Sequence, residues 1–201
     1  KDVNDLPLVN ATVSLLGTGI TTTTDGGGGF LLSNTPFGLQ DLVIDGTTIP
    51  QSSLGASKTF SKTHVKVNIG LGKQNTLPNP VFLSPIRHDG TETVITSQSS
   101  AVVTSPDDPN IRLMIPAGAA SFPAGVPGTS ISINVISANK ATIPVPASAV
   151  PEKVIDLEPS GLKFVERVPL TISNENELPE GASVVLLSMN SSKGHWEVDG
   201  L

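Results

Sequence analysis

Residues 129–143 read Thr-Ser-Ile-Ser-Ile-Asn-Val-Ile-Ser-Ala-Asn-Lys-Ala-Thr-Ile, as long a stretch free of glycine and proline as this chain contains. A helix would find room here if anywhere. Yet Ile131, Ile133 and Val135 alternate with Ser132 and Asn134, and the segment is rich in β-branched residues, which lose rotamer freedom in a helix and pack well on a pleated surface. Period two, not 3.6, predicts a strand with one face on a core and one in water. Elsewhere glycine or proline interrupts most windows, so helix is excluded almost throughout.

The same alternation recurs on both sides. Val9, Ala11, Val13 and Leu15 alternate with Asn10, Thr12 and Ser14; Val65, Val67 and Ile69 alternate with Lys66 and Asn68. Ile111, Leu113 and Ile115 form another set, and Trp196 and Val198 flank Glu197. Val184-Val185-Leu186-Leu187 is a continuous apolar run, of a length that suits a strand buried on both faces. Short strands separated by turn residues every ~8–12 positions predict an all-β protein of antiparallel sandwiches.

With 17 prolines, 19 glycines and aromatics at only 3%, the core must be built from Val, Ile and Leu. There is no cysteine, which excludes a disulfide scaffold, a cysteine zinc finger, an iron–sulfur site and a thiol nucleophile. The formal charge of −6 works against nucleic acid, which requires clustered cations. Lys58, Lys62, Lys66 and Lys73 come nearest to a cluster, and Lys62 and Lys66 would share one strand face that discourages edge pairing. No apolar run approaches the ~20 residues that cross a bilayer as a helix, so membrane insertion is not expected.

A composition shift falls at Pro85 to Gly90, where Val81-Phe82-Leu83 reads as a terminal strand and Arg87-His88-Asp89-Gly90 as a polar turn. New strands begin at Thr93. The expected organisation is two tandem all-β domains, 1–86 and 92–201, joined by a short linker and touching.

Two resemblances bear on these halves. Pro7-Leu8-Val9-Asn10-Ala11-Thr12-Val13, then Thr24-Asp25, the glycines Gly26 to Gly29 and Phe30, then Leu42-Val43-Ile44-Asp45-Gly46, resemble the prealbumin-like domain of the carboxypeptidase regulatory family. That family has a strand before the one at Pro7, and here only its tail, Lys1-Asp2, is present. The resemblance therefore implies a piece of a longer chain, with an unpaired sheet edge beside Pro7 to Leu15. The second half is similar to the β-sandwich module of ankyrins and netrin receptors, in its bacterial surface-protein form. The likeness rests on Ile115-Pro116-Ala117-Gly118-Ala119, on Ile155 to Phe164 with Pro159, Gly161 and Phe164, and on Val168 to Ile172, with Pro179-Glu180-Gly181 and Trp196 also fitting. Some relatives of that module cut themselves at a Phe-Ser bond. Ser121-Phe122-Pro123 stands here instead and offers no hydroxyl at that place. The order of the two modules also resembles the stem of teneurin and Rhs-type proteins.

Candidate chemistry is sparse. The glycine run lacks the Lys-Ser/Thr and the helix of a phosphate loop, and reads as a hairpin turn in which Asp25 bonds its own backbone and Gly26 and Gly29 supply freedom. His64, His88 and His195 are isolated from one another, and no Gly-x-Ser-x-Gly elbow accompanies them. Asp107, Asp108 and Asn110 are the best calcium candidates, in a segment that also reads as an ordinary turn; Glu175, Glu177 and Glu180 form a second acidic loop. Asn10-Ala11-Thr12, on a strand, and Asn190-Ser191-Ser192, in a turn, are glycosylation sequons. Pro116, Gly118, Pro159, Gly161 and Phe164 are expected to be structural turns, with Phe164 a plug beneath. No cofactor and no catalysis are expected. The expected role is a structural or display module of a larger secreted or cell-surface protein, docking against neighbouring domains of its own polypeptide. A carbohydrate- or protein-binding adhesion module, and the stem of a teneurin-like shell, are the alternatives.

Overall fold

The computed structural model of the chain describes residues 1–54, 57–90, 92–123, 129–149, 151–190 and 194–200. Among them helix is confined to α1 (Gln51–Leu54) and two 3-10 turns, Gly46–Thr48 and Ala138–Lys140. The protein is all-β, and every ladder between its strands is antiparallel.

The N-terminal part carries a four-stranded sheet in the order β2 (Thr21–Thr23), β1 (Thr12–Leu15), β3 (Gly38–Asp45), β5 (Lys62–Ile69). Beside it β4 (Lys58–Phe60) pairs with β6 (Pro85–Arg87). Leu8, Ala11, Val13, Leu15, Leu42, Ile44, Ile49, Phe60 and Leu83 form its core. The alternation expected from Val9 breaks at Asn10, whose φ is +63°. A left-handed residue shifts the phase of the side chains, so Leu8 rather than Val9 enters the core. Thr24 closes the irregularity: its hydroxyl donates to the Leu8 carbonyl at 2.6 Å and accepts from Ala11 N–H at 3.0 Å. The edge expected beside Pro7 to Leu15 is not there, because β1 is paired on both sides. Val81–Leu83 is not a strand either; Leu83 makes a single parallel bridge, to Asp2.

The C-terminal part has its own core of Ile95, Val103, Ile111, Leu113, Ile115, Ala119, Ile131 and Ile133. One sheet orders β12 (Val154–Glu158), β11 (Ser130–Ile136) and β7 (Thr93–Val94); another orders β14 (Leu170–Thr171), β9 (Arg112–Ile115) and β8 (Ala101–Thr104). The pair β10 (Ala120–Ser121) and β13 (Lys163–Phe164) closes one corner. The last pair is a hairpin of β15 (Leu186–Asn190) and β16 (His195–Gly200). The strand expected to be buried on both faces at Val184 to Leu187 differs here: Val184, Val185 and Leu186 are exposed, because the hairpin pairs with no third strand among those described.

Arg87, read from the sequence as part of a turn, is the last residue of β6. Its position sets the geometry of the site below.

Candidate functional site

Three alternating polar residues of the C-terminal part are buried, and a fourth is half-buried. Ser132 and Asn134 on β11 and Glu158 on β12 are 3%, 1% and 3% exposed, and Asp156 stands opposite Asn134 in the ladder. The N-terminal part covers them. The strand β6 spends one edge on β4, leaving Pro85 C=O and Arg87 N–H pointing away from the ladder. Two side chains of β11 take those groups: Asn134 Nδ2 donates to Pro85 O at 3.0 Å, and Arg87 N donates to Ser132 Oγ at 3.0 Å. The Arg87 guanidinium then spans the seam, giving Nε to Asn134 Oδ1 at 3.2 Å and one terminal nitrogen to both oxygens of Asp107 at 3.0 and 2.9 Å. Every polar atom of the buried Asn134 side chain is thus engaged except one amide hydrogen, as burial requires.

Glu158 is the second anchor. Its carboxylate accepts from Ser61 Oγ at 2.5 Å, from Ser160 N at 2.6 Å and from Ser160 Oγ at 3.0 Å. Ser61 lies between β4 and β5, so this bond ties the two parts across 97 positions of sequence. Burial, and then the neighbouring Asp156 carboxylate, push Glu158 up to about 8, against the pull of its three donors. Burial raises Asp156 as well, and Ser84 offsets part of that rise. The Ser84 hydroxyl makes no well-formed hydrogen bond. Two acids on one buried face retain a proton at neutral pH.

The turn residues read from the sequence fall in two groups. Asp25 Oδ1 accepts from Gly27 N at 2.9 Å and Gly29 N at 2.8 Å, closing a tight loop. Within the run Gly28, not Gly26 or Gly29, has the left-handed φ, +74°, and Phe30 packs half-buried on the N-terminal core. The other group is brought together in space. Pro116 O accepts from Ala119 N at 3.1 Å and Pro159 O from Leu162 N at 3.1 Å. Gly118 and Gly161 hold φ of +73° and +87° at the third position of each turn, the position that requires it. The ladder between β10 and β13 sets the two turns side by side. Phe164 packs against the C-terminal core but is half-buried, so Phe164→Ala is expected to cost about 2 kcal/mol, less than a buried plug. Gly161→Val is expected to cost about 1–3 kcal/mol from backbone strain. Thermal melts of the two variants check both values.

The calcium candidates are occupied by the protein's own donors. Asp107 binds Arg87. Asp108 Oδ2 accepts from Ser173 Oγ at 2.8 Å and Lys153 Nζ at 3.4 Å, and its Oδ1 from Asn110 N at 3.0 Å. The Ser173 hydroxyl, first, holds the Asp108 carboxyl below the usual carboxylate range. Lys153 also bonds Glu175. Carboxylates already neutralised by cations suit an anchored turn better than a hard cation, and no group of three or more His, Asp or Glu placed to hold a metal occurs among the described residues. The three histidines stand apart: His64 lies 3.3 Å from Asp41, His88 2.9 Å from the Thr59 hydroxyl and His195 3.3 Å from Glu197.

The sequons exchange their expected settings: Asn10 is an exposed left-handed residue outside any strand, while Asn190 ends β15, and Ser191 and Ser192 lie outside the described residues. The seam residues Ser61, Arg87, Asp156 and Glu158 were not singled out from the sequence. The available signal was the pair of acids two apart on a strand, beside a strand whose polar positions are small and uncharged. No helix is long and apolar enough to cross a membrane among the described residues.

The chain matches no known family model, no curated protein and no solved structure at a significant level, so the two family resemblances rest on their motifs alone.

Proposed function

We propose that the chain is a non-catalytic structural module, a spacer or docking element of a larger secreted or cell-surface protein, in which a prealbumin-like domain and a β-sandwich act as one stiff unit. The observation that carries this reading is the seam. A flexible tether between two cores would leave their facing surfaces hydrated. Here Ser132, Asn134 and Glu158 are buried and bonded to Arg87, Pro85 and Ser61 of the other part, an arrangement tolerant of only one relative placement. The chemistry points the same way: the Ser61 hydroxyl, bonded to Glu158, is 4% exposed, and no histidine among the described residues is bonded to it. A carbohydrate platform would need clustered open aromatics. Phe37 is the one exposed large aromatic among the described residues, and the Trp196 indole N–H is spent on the carbonyls of Ile143 and Pro144 at 3.2 and 3.1 Å.

The chain has no cysteine, so two introduced thiols report one distance. Spin labels at the exposed Thr23 and Thr171 are expected to give a single narrow distance distribution, broadened by Arg87→Ala. A broad distribution in the unaltered protein would defeat the reading, as would two separate thermal transitions.

A further inference from the structure

Asp156 and Glu158 stand two apart on β12, opposite Asn134 and Ser132 of β11. Residues two apart on a strand share one face, and so do residues directly opposite in a ladder. All four therefore belong to the face that meets the seam, and two of them are carboxylates. The protein matches its other shielded acids with cations: Asp2 with Lys58, Asp41 with Lys66, Asp45 with Lys62 and Asp108 with Lys153. Asp156 and Glu158 have no such partner among the described residues. The Arg87 guanidinium enters the same seam but is engaged by Asn134 and Asp107.

The facing side of the seam holds an orphaned group. Ser84, the residue before β6, is 2% exposed, and its Oγ is the one buried side-chain polar atom without a hydrogen-bond partner among the described residues. It stands beside the Asp156 carboxylate, close enough to ease that charge, yet the two close no bond of ordinary geometry. A buried hydroxyl left without a partner is costly, and no other donor serves Asp156 among the described residues. Glu158 is only partly served: Oε2 accepts from Ser61 and Ser160, while Oε1 accepts from the Ser160 hydroxyl alone and keeps a free lone pair. Oxygens from both sides of the seam thus converge with nothing between them to bind.

We propose that Asp156 and Glu158, joined by the Ser84 hydroxyl, hold a calcium ion that spans the seam. The donor set is made of hard oxygens, with no imidazole or thiolate to favour zinc or copper. Its charge selects a divalent ion, since two carboxylates balance one calcium. An irregular set drawn from two parts of the chain suits calcium, which tolerates flexible geometry, better than magnesium, which demands a near-ideal octahedron. Asp156 is half-buried, so water reaches that side and completes the shell of about six to eight oxygens. The ion ties β12 to the segment before β6. It deepens the reading of the chain as a stiff unit and rests on it, because the site exists only while the seam is closed.

The test uses the full chain, stripped with a chelator and melted with and without calcium chloride at about pH 7.5, since protons compete for the same oxygens. Calcium at about 10 mM, roughly a hundred times the Kd of an extracellular site, is expected to raise the melting temperature by about 5 °C or more. Magnesium at the same concentration should raise it much less. Asp156→Asn combined with Glu158→Gln removes both charges while keeping their shape, and is expected to lose the shift. Ser84→Ala is expected to weaken calcium binding about tenfold by titration calorimetry. Asp108→Asn, in the acidic turn that Ser173 and Lys153 already serve, should keep the full shift. No shift with calcium, a shift retained by the double variant, or an equal shift with magnesium overturns the proposal. The spin-label distances at Thr23 and Thr171 separate this failure from the other: a narrow distribution without a calcium response removes the ion alone, and a broad one removes the stiff unit as well.

Discussion

Raising the pH from about 5 to about 9 is expected to weaken this protein, and Glu158→Gln to abolish most of that loss. The folded chain holds a proton at the Glu158–Asp156 pair that the unfolded chain releases in the ordinary carboxylate range. A group whose folded pKa is raised contributes stability below its unfolded pKa. That contribution is lost as pH climbs from the usual range of Glu through about 8, the value to which burial and Asp156 push Glu158. The loss is on the order of a few kcal/mol, or a fall of about 10 °C in melting temperature for a chain this long. Neither carboxylate is bonded to a cation among the described residues; Arg87 spends its guanidinium on Asn134 and Asp107. The remaining neighbours, Ser61, Ser84, Ser132 and Ser160, carry no charge. Glu158→Gln keeps the shape and the acceptor for Ser61 while removing the charge, so its melting temperature should exceed that of the unaltered protein at high pH and match it near pH 5, well below the value of about 8 to which Glu158 is pushed. A flat pH profile in the unaltered protein would show that the pair is ionised and solvated.

Gly46→Ala is expected to cost about 3 kcal/mol, near the upper end for overpacking. A methyl group on Gly46 would lie 2.5 Å from Phe60 Cβ and 2.7 Å from the Ser61 carbonyl oxygen. Neither atom is the end of a flexible side chain. Phe60 is 0% exposed, and Ser61 O accepts from Gly46 N itself, so relief requires breaking the contact between β3 and β5. Gly26→Ala is the control: nothing lies within 4 Å of its added carbon and its φ is not left-handed. Its melting temperature should be unchanged. Equal melting temperatures for the two variants would mean that the approach of Phe60 to Gly46 relaxes without cost.

These two glycines show what a sequence discloses. Gly26 stands in a run of four and draws attention, yet its neighbour Gly28 carries the left-handed backbone. Gly46 ends a strand motif without marking that a buried phenylalanine fourteen positions on packs against its hydrogen. Local rules reach as far as a turn or a strand's own alternation. They placed the strands that hold Leu113 and Ile115 and Ile131 to Val135, because each is decided by neighbours in the chain. They gave the wrong environment for Ser132 and Asn134. Alternation says that a face is polar, and a polar face is buried only when another part of the chain brings matching donors and acceptors. The same limit applies to Val184 to Leu187, where an apolar run implied cover that no described element provides.

The bare side of β6 carries a consequence for how the chain is made. Its outward groups at Pro85 and Arg87 are satisfied by Asn134 and Ser132, which lie 49 and 45 positions downstream. During synthesis at ~5–20 residues per second the ribosome needs roughly two to ten seconds to add those positions. Through that interval the N-terminal sheet can close while β6 has no cover, and a nascent neighbour on the same messenger finds an unsatisfied strand. Slow codons between Gly90 and Ser130 would lengthen this exposure, and fast ones would shorten it.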